Sequence, residues 1–309
     1  MKVYYDLTPS AGDSAVALGS FDGLHLGHRK VIASAVSARG QGLLPTVLTF
    51  AANPLANLGG RPGGEIITQE QKIALLEEFG VEQIYILRFA AIKNLSPEEF
   101  ADEVLVKVCR AKEVCCGFNF TFGSGGRAGS ETLARLCAQR GIRAEITGAV
   151  LSGGEPVSST RIRGLIAAGD MAGTAELLGR PYGYCSAVQH GRRLGRELGT
   201  PTLNQAIPQD FVLPRFGVYA SRVILGDKAY VGVTNVGVKP TVGSPSALAE
   251  TWMPGYSGAD LYGTVVRVDL MQFLRPERKF SGLDELKMEI IKNGEQAKEY
   301  FRKAGMPLL

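Results

Sequence analysis

From residue 15 to residue 150 the chain alternates short apolar runs with amphipathic stretches, and beyond residue 180 that alternation stops. Ala15-Val16-Ala17-Leu18 reads as a buried strand, followed by a glycine-rich turn and a helical pattern from about Leu26 to Ser37. Leu43 to Phe50 is a second strand, Val81 to Leu87 a third, Val114-Cys115-Cys116 a fourth and Ala144 to Val150 a further one. The helices between them announce their starts. Thr68 and Gln71 form a capping box ahead of a face built from Ile73, Leu76 and Phe79. Ser96-Pro97-Glu98-Glu99 combines an N-cap, a first-turn proline and a box-closing glutamate, and Glu131 to Arg140 continues the series. Strands alternating with helices predict a doubly wound α/β domain whose mostly parallel sheet is covered on both faces.

The pattern changes at Arg180-Pro181-Tyr182. Gly183 to Val188, Val218 to Ile224, Ala229 to Val236 and Thr264 to Phe273 are strand-like runs broken by Gly and Pro, which predicts a small antiparallel barrel. One long amphipathic helix closes the chain, opened by Ser281 with Asp284 three residues later. The expected domains are therefore 1–181 and 182–309. A length of 309 residues agrees, being more than one ordinary core needs.

Composition narrows the functional classes. Thirty-four Lys and Arg against 30 Asp and Glu give +4, without a long basic run, which argues against a nucleic-acid binder and suits phosphate-bearing substrates. No stretch has the length of a membrane span and no apolar signal region follows Lys2, so the expectation is a cytoplasmic protein. The five cysteines, Cys109, Cys115, Cys116, Cys137 and Cys185, lack metal-ligand spacing and read as reduced core thiols.

Two windows carry chemistry. Gly19-Ser20-Phe21-Asp22-Gly23-Leu24-His25-Leu26-Gly27-His28 occupies a strand-to-helix corner, where open α/β sheets bind ligands. Glycines there admit a phosphate to the backbone, and the helix N-terminus offers it unpaired N–H groups. His25 and His28, two of only three histidines, lie one turn apart, so protonated or donating imidazoles can face one anion. Gly191-Arg192-Arg193-Leu194-Gly195-Arg196-Glu197-Leu198-Gly199 is a basic glycine-rich loop followed by Pro201-Thr202-Leu203-Asn204. Its amides suit phosphates, and the Thr202 and Asn204 oxygens suit Mg²⁺, which prefers hard ligands.

The His-x-Gly-His window resembles the nucleotidyltransferase signature, and its context is similar to the prokaryotic bifunctional riboflavin kinase/FMN adenylyltransferase family. The resemblance runs over nearly the whole chain. It includes Leu95-Ser96-Pro97-Glu98-Glu99-Phe100, Gly117-Phe118-Asn119-Phe120-Thr121-Phe122-Gly123, Val157-Ser158-Ser159-Thr160-Arg161-Ile162-Arg163 and Leu178-Gly179-Arg180-Pro181-Tyr182. In the second half it includes Pro201-Thr202-Leu203-Asn204, Leu213-Pro214-Arg215-Phe216-Gly217, Asn235-Val236-Gly237, Pro240-Thr241-Val242-Gly243, Glu250-Thr251-Trp252 and Phe273-Leu274-Arg275-Pro276-Glu277.

The resemblance implies an enzyme with two active sites, using ATP and Mg²⁺ at each to convert riboflavin to FMN and FMN to FAD with release of pyrophosphate. At the adenylyltransferase site it implies that Gly19, Phe21, Asp22, Gly23, His25 and His28 bind ATP with Ser159, Thr160 and Arg163, the last clamping pyrophosphate. It places Asn53 and Asn119 by the flavin. Where the family commonly carries Pro-His-Pro, this chain has Ala52-Asn53-Pro54, and Asn53 hydrogen-bonds without carrying charge. At the kinase site the resemblance makes Glu250 the catalytic base and Thr202 and Asn204 the metal and phosphate ligands. Gly191, Gly195 and Gly199 belong to the phosphate loop, and Arg275 stands near the substrate ring. Met253-Pro254-Gly255-Tyr256 departs from the family's usual acid-containing continuation.

Three other readings compete: a chain retaining only the kinase, a tRNA-interacting protein, and a non-catalytic flavin-binding regulator. No Lys-Met-Ser-Lys-Ser-like segment supports the second, and the retained Glu250, Thr202, Asn204, His25 and His28 speak against the third. The partners expected are small molecules, with no nucleic acid and no membrane, and the chain a monomer or weak homo-oligomer.

Overall fold

Six strands form the sheet of the first half: Lys2–Tyr4 (β1), Ser14–Leu18 (β2), Leu44–Phe50 (β3), Gln83–Leu87 (β4), Ala111–Gly117 (β5) and Arg143–Thr147 (β6). All pairings are parallel, in the order β1-β4-β3-β2-β5-β6. The computed structural model describes residues 1–51, 64–191, 195, 199–208, 210–239, 246–306 and 308–309, and divides into the units Met1–Ser159 and Thr160–Leu309.

Every residue of β2 is buried, as a strand covered on both faces requires. On one face, Leu26–Ser37 (α1) packs Val31, Ile32 and Ala35 against β2, β3 and β5. Between β3 and β4 in the chain runs Gln69–Glu78 (α2), opened by the Thr68–Gln71 capping box. On the other face, Val16, Leu18, Leu48, Val114 and Cys116 meet a helix that opens at Pro97–Glu99 and continues over Phe100–Val108 (α3), together with Ser130–Ala138 (α4). The Ser96–Glu99 capping box is present. The doubly wound domain is thus as expected, with one addition. β1 is a three-residue edge strand, too short for its pattern to stand out.

This order creates a switch point. The chain runs outward through β2, β3 and β4, then returns to place β5 on the other side of β2. The crevice beyond the carboxyl ends of β2 and β5 is where such sheets bind ligands.

The second unit begins with the helices Ser159–Ala168 (α5) and Met171–Leu178 (α6), the unit taking α5 from Thr160. Six antiparallel strands follow: Tyr182–Gln189 (β7), Thr202–Ala206 (β8), Gly217–Leu225 (β9), Lys228–Lys239 (β10), Ser246–Trp252 (β11) and Val265–Arg275 (β12). They close a barrel in the order β7-β8-β11-β10-β9-β12, and α6 packs against β7 and β12. Inside, hydroxyls of Ser221, Thr234 and Thr251 bond in series at 2.7 and 2.9 Å. Outside, Leu283–Lys303 (α7) buries Ala297 and Phe301 against Val218, Ala220, Val231 and Val233.

The start of α7 corrects one expectation. Gly282, in extended conformation, is the N-cap, and Ser281 does not cap the helix. Instead the Ser281 N–H and hydroxyl both donate to the Glu285 carboxylate, each at 2.8 Å. A first-turn glutamate reaching back has taken the role expected of Ser281 and Asp284.

Candidate active sites

The turn after β2 holds its shape under strain. Phe21 (φ 49°) and Leu24 (φ 45°) are non-glycine residues in the left-handed region, and both are fully buried. Each such residue costs about 1–3 kcal/mol, which surrounding contacts must offset. Here the contacts are visible. The Asp22 carboxylate accepts from the Ile66 N–H at 2.9 Å, and the Ser20 carbonyl accepts from the Thr49 hydroxyl at 2.9 Å and from Lys72 Nζ at 3.2 Å. Gly23 (φ +81°) sits tight against Ile66, so a side chain there is both strained and crowded.

The turn delivers two imidazoles to the start of α1. His25 is the N-cap, and its Nδ1 accepts from the His28 backbone N–H at 3.3 Å. The rings of His25 and His28 stack 3.6 Å apart at 16°, and Phe21 meets His28 edge-on. Accepting at Nδ1 assigns the His25 proton to Nε2. Burial, with smaller contributions from the neighbouring His25 and Lys72, holds His28 well below the ordinary imidazole pKa. The free protein therefore carries His28 neutral, which selects the donating imidazole over the protonated one. Its Nδ1 is buried without a partner among the described residues.

One further residue of this unit meets the turn. Ser159 opens α5 and donates its hydroxyl to the Asp22 carbonyl at 2.9 Å, tying that helix start to the turn. Thr160 and Arg163 lie in the first two turns of α5. Asn119 is exposed in the turn after β5, on the other side of the switch point from Gly19, and its side chain folds back against Gly117.

The second site is a cavity of about 450 Å³ against the outer wall of the barrel, roofed by α7 and the segment Arg275–Phe280. In the antiparallel register Asn204 stands opposite Glu250, and Glu250 opposite Asn235, so the three share one face across β8, β11 and β10. The next row is Thr202, Trp252 and Val233. All six line the cavity, as do Gly195, Thr200 and Arg275. The pole around Asn204 and Glu250 is polar, and the wall of Trp252, Phe280, Leu286 and Ile290 is apolar. Gly191 lies against the Asn204 carboxamide so closely that a Cβ would come within 2.4 Å of it. Gly199 turns at φ +75°. Arg275 donates to Asn293 Oδ1 at 3.0 Å and pairs with Glu289 at 3.3 Å.

The family model for FAD synthetase matches residues 7–161, and that for riboflavin kinase matches residues 178–301. A Bacillus subtilis protein described as a bifunctional riboflavin kinase/FMN adenylyltransferase is 33% identical, covering 93% of this chain and 92% of its own. The chain belongs to the bifunctional riboflavin kinase/FMN adenylyltransferase family. A member from Listeria monocytogenes is 32% identical over 94% of this chain and 93% of its own, and one from Escherichia coli K12 is 33% identical over 93% and 92%. A solved structure described as a macrolide-efflux protein from Streptococcus pneumoniae shares the fold, with a TM-score of 0.85 at 29% identity over 95% of this chain and 97% of that one. Among the described residues no helix is long and apolar enough to cross a membrane.

For this family member, Asn53, Arg192, Arg193 and Pro240 to Gly243 lie outside the described residues. Two contributors escaped the sequence reading. Lys72 is buried at 3% exposure beneath the His25 turn, where burial lowers its pKa against the opposing pull of Glu65 and Asp22. Its signal was legible: Lys72 and Leu76 are four apart, and that pair is the buried face of α2. Thr200 is the other, a buried threonine just ahead of β8.

Glu113, Cys115 and Glu145 also cluster, with ligand atoms within 4.8 Å of one another. Glu113 pairs with Arg143 at 2.6 Å and Glu145 accepts from Ser34 at 2.5 Å, so these carboxylates serve the fold. All five cysteines are free, and burial raises the thiol pKa of Cys109 to about 12 and of Cys137 to about 11. Cys109, Cys115, Cys116 and Cys137 are inert buried thiols, and Cys185 is half-buried.

Proposed function

We propose that the two units divide the family's chemistry, the barrel phosphorylating riboflavin to FMN and the α/β unit adenylylating FMN to FAD. One observation carries the reading: an acid flanked by two amides faces a cavity that is polar at one pole and apolar at the other. That cavity suits a flavin with its ribityl end at Glu250. The stacked histidines at the switch point supply the second, chemically different site.

In the kinase site Glu250 accepts the proton of the 5′-hydroxyl as that oxygen attacks the γ-phosphate of ATP. Asn204 and Asn235 flank Glu250 in the strand register, and the Asn235 amide donates to Glu277 at 3.2 Å. Backbone amides at Gly191, Gly195 and Gly199 face the phosphates, while Trp252 and Phe280 hold the isoalloxazine ring near Arg275. The Thr202 hydroxyl and the Asn204 Oδ1, which is buried and unpartnered, are hard oxygens of the kind Mg²⁺ takes. Thr202 and Asn204 would hold Mg²⁺, which would supply charge neutralisation for the nucleotide phosphates, and positioning by the site residues supplies most of the remaining acceleration.

In the adenylyltransferase site the FMN phosphate attacks the α-phosphate of ATP and pyrophosphate leaves. Gly19, Phe21, Asp22 and Gly23 shape the phosphate corner, and His25 Nε2–H and His28 donate to the charge that develops there. Ser159 and Thr160 add hydroxyls, and Arg163 takes the pyrophosphate with its fork of donors. The family resemblance gives Asn53 and Asn119 the flavin-side roles. The functional boundary falls at 181/182. The enzyme works in the cytoplasm on small molecules, as a monomer or weak homo-oligomer, a setting its five free thiols suit.

A product assay tests the proposal. With ATP and Mg²⁺, riboflavin yields FMN and supplied FMN yields FAD, resolved by chromatography. FMN without any FAD leaves a kinase alone and makes Asn53 the first residue to revert to His.

A further inference from the structure

The buried hydroxyl of Thr200 contributes no hydrogen bond to the fold among the described residues. Thr200 is 2% exposed, its Oγ1 has no hydrogen-bond partner among the described residues, and it lines the barrel cavity. A buried hydroxyl without a partner is costly, and the cost disappears when a ligand oxygen arrives.

Its position follows from local chemistry. Pro201 biases the preceding residue to extended backbone, so Thr200 continues the alternation of β8 before that strand begins. Thr200, Thr202 and Asn204 are therefore successive residues of one face, and all three line the cavity. The backbone is pinned as well. The Thr200 N–H donates to the Gly195 carbonyl at 2.7 Å, and the Thr200 carbonyl lies where a Cβ on Gly195 would come within 2.5 Å. A second orphan, Asn204 Oδ1, lies two strand positions beyond Thr202 on this face. On this rigid face the Thr200 hydroxyl can donate to a ligand oxygen, and Asn204 Oδ1, an acceptor, suits the cation that accompanies a phosphate.

We infer that Thr200 is a further phosphate ligand of the kinase site, its hydroxyl donating to a phosphate oxygen of the bound nucleotide beside Thr202 and Asn204. The inference rests on the site roles proposed above and adds a residue to them. Hydrogen bonds from a hydroxyl to a charged oxygen are stronger than neutral ones, so deletion costs roughly ten-fold or more in affinity.

The test compares Thr200→Val, which keeps the branched shape, with Thr200→Ser, which keeps the hydroxyl. ADP with Mg²⁺ is titrated into the full-length protein and binding read by calorimetry and by emission of Trp252, the single tryptophan, which lines the same cavity. Thr200→Val should weaken the Trp252-reported binding about ten-fold, with a matching rise in KM for ATP in riboflavin phosphorylation. Thr200→Ser should stay within about two-fold of the native protein, with KM for riboflavin unchanged in both. The thermal midpoint of nucleotide-free Thr200→Val should equal or exceed the native one, because an orphan hydroxyl has been replaced by a methyl. Binding by Thr200→Val within two-fold of native overturns the inference and leaves the site roles standing. So does equal weakening in both variants with a lowered nucleotide-free midpoint, which marks a packing role. A native protein in which neither calorimetry nor Trp252 detects nucleotide in the barrel overturns the proposed kinase site and this inference together.

Discussion

His28 shows how a single side chain ties chemistry to stability. In the unfolded chain its imidazole takes a proton near the usual value of about 6.5, whereas burial keeps it neutral to lower pH in the fold. The unfolded state thus binds more protons below about pH 6.5, and this residue's contribution falls as pH drops through that point. Comparing thermal midpoints of the native protein and His28→Gln across pH 5 to 8 isolates the effect. The difference between them should change below about pH 6.5, with the native protein losing more. A constant difference would mean that His28 titrates in the fold as it does in the unfolded chain. The histidines were legible because two of three fall in one window. Their protonation state was not, since it depends on burial and on Lys72, a residue 44 positions further along the chain.

At the scale of elements, Gly294 in the middle of α7 explains itself by what it touches. Glycine in a helix interior costs about 1 kcal/mol relative to alanine. Here a Cβ would approach the Trp252 ring within 2.6 Å, so the glycine lets the helix close over the cavity wall. Gly294→Ala should therefore destabilise the barrel by about 1–3 kcal/mol despite its better helix propensity, and shift Trp252 emission. A rise in the thermal midpoint would contradict this packing. The same wall marks where sequence reasoning stopped. Strands with clear apolar alternation, such as Gly217–Leu225 and Val265–Arg275, were legible. Thr202–Ala206 and Ser246–Trp252 were read as motifs and not as strands, because both mix polar residues into a face that lines a ligand cavity. The residues most informative about function were the least informative about secondary structure.

The whole molecule is built from two folding units. The helices α5 and α6 bear on where the units can be cut. α6 buries Met171, Leu177 and Leu178 and packs against β7 and β12. Burying one such side chain is worth about 1.5–3 kcal/mol. A fragment of residues 160–309 should therefore form FMN and melt several degrees above a fragment of residues 182–309. Equal melting would show that α6 adds nothing to the barrel. The division of labour itself is tested by paired substitutions in the full chain, assayed for FMN from riboflavin and for FAD from supplied FMN. Glu250→Gln should cut FMN formation by about 10²–10⁴-fold and leave FAD formation from FMN intact. His28→Ala should lower FAD formation by about 10²–10³-fold and leave FMN formation intact. That crossed pattern is what two independent sites predict, and a folded variant of either kind that loses both activities equally would contradict it.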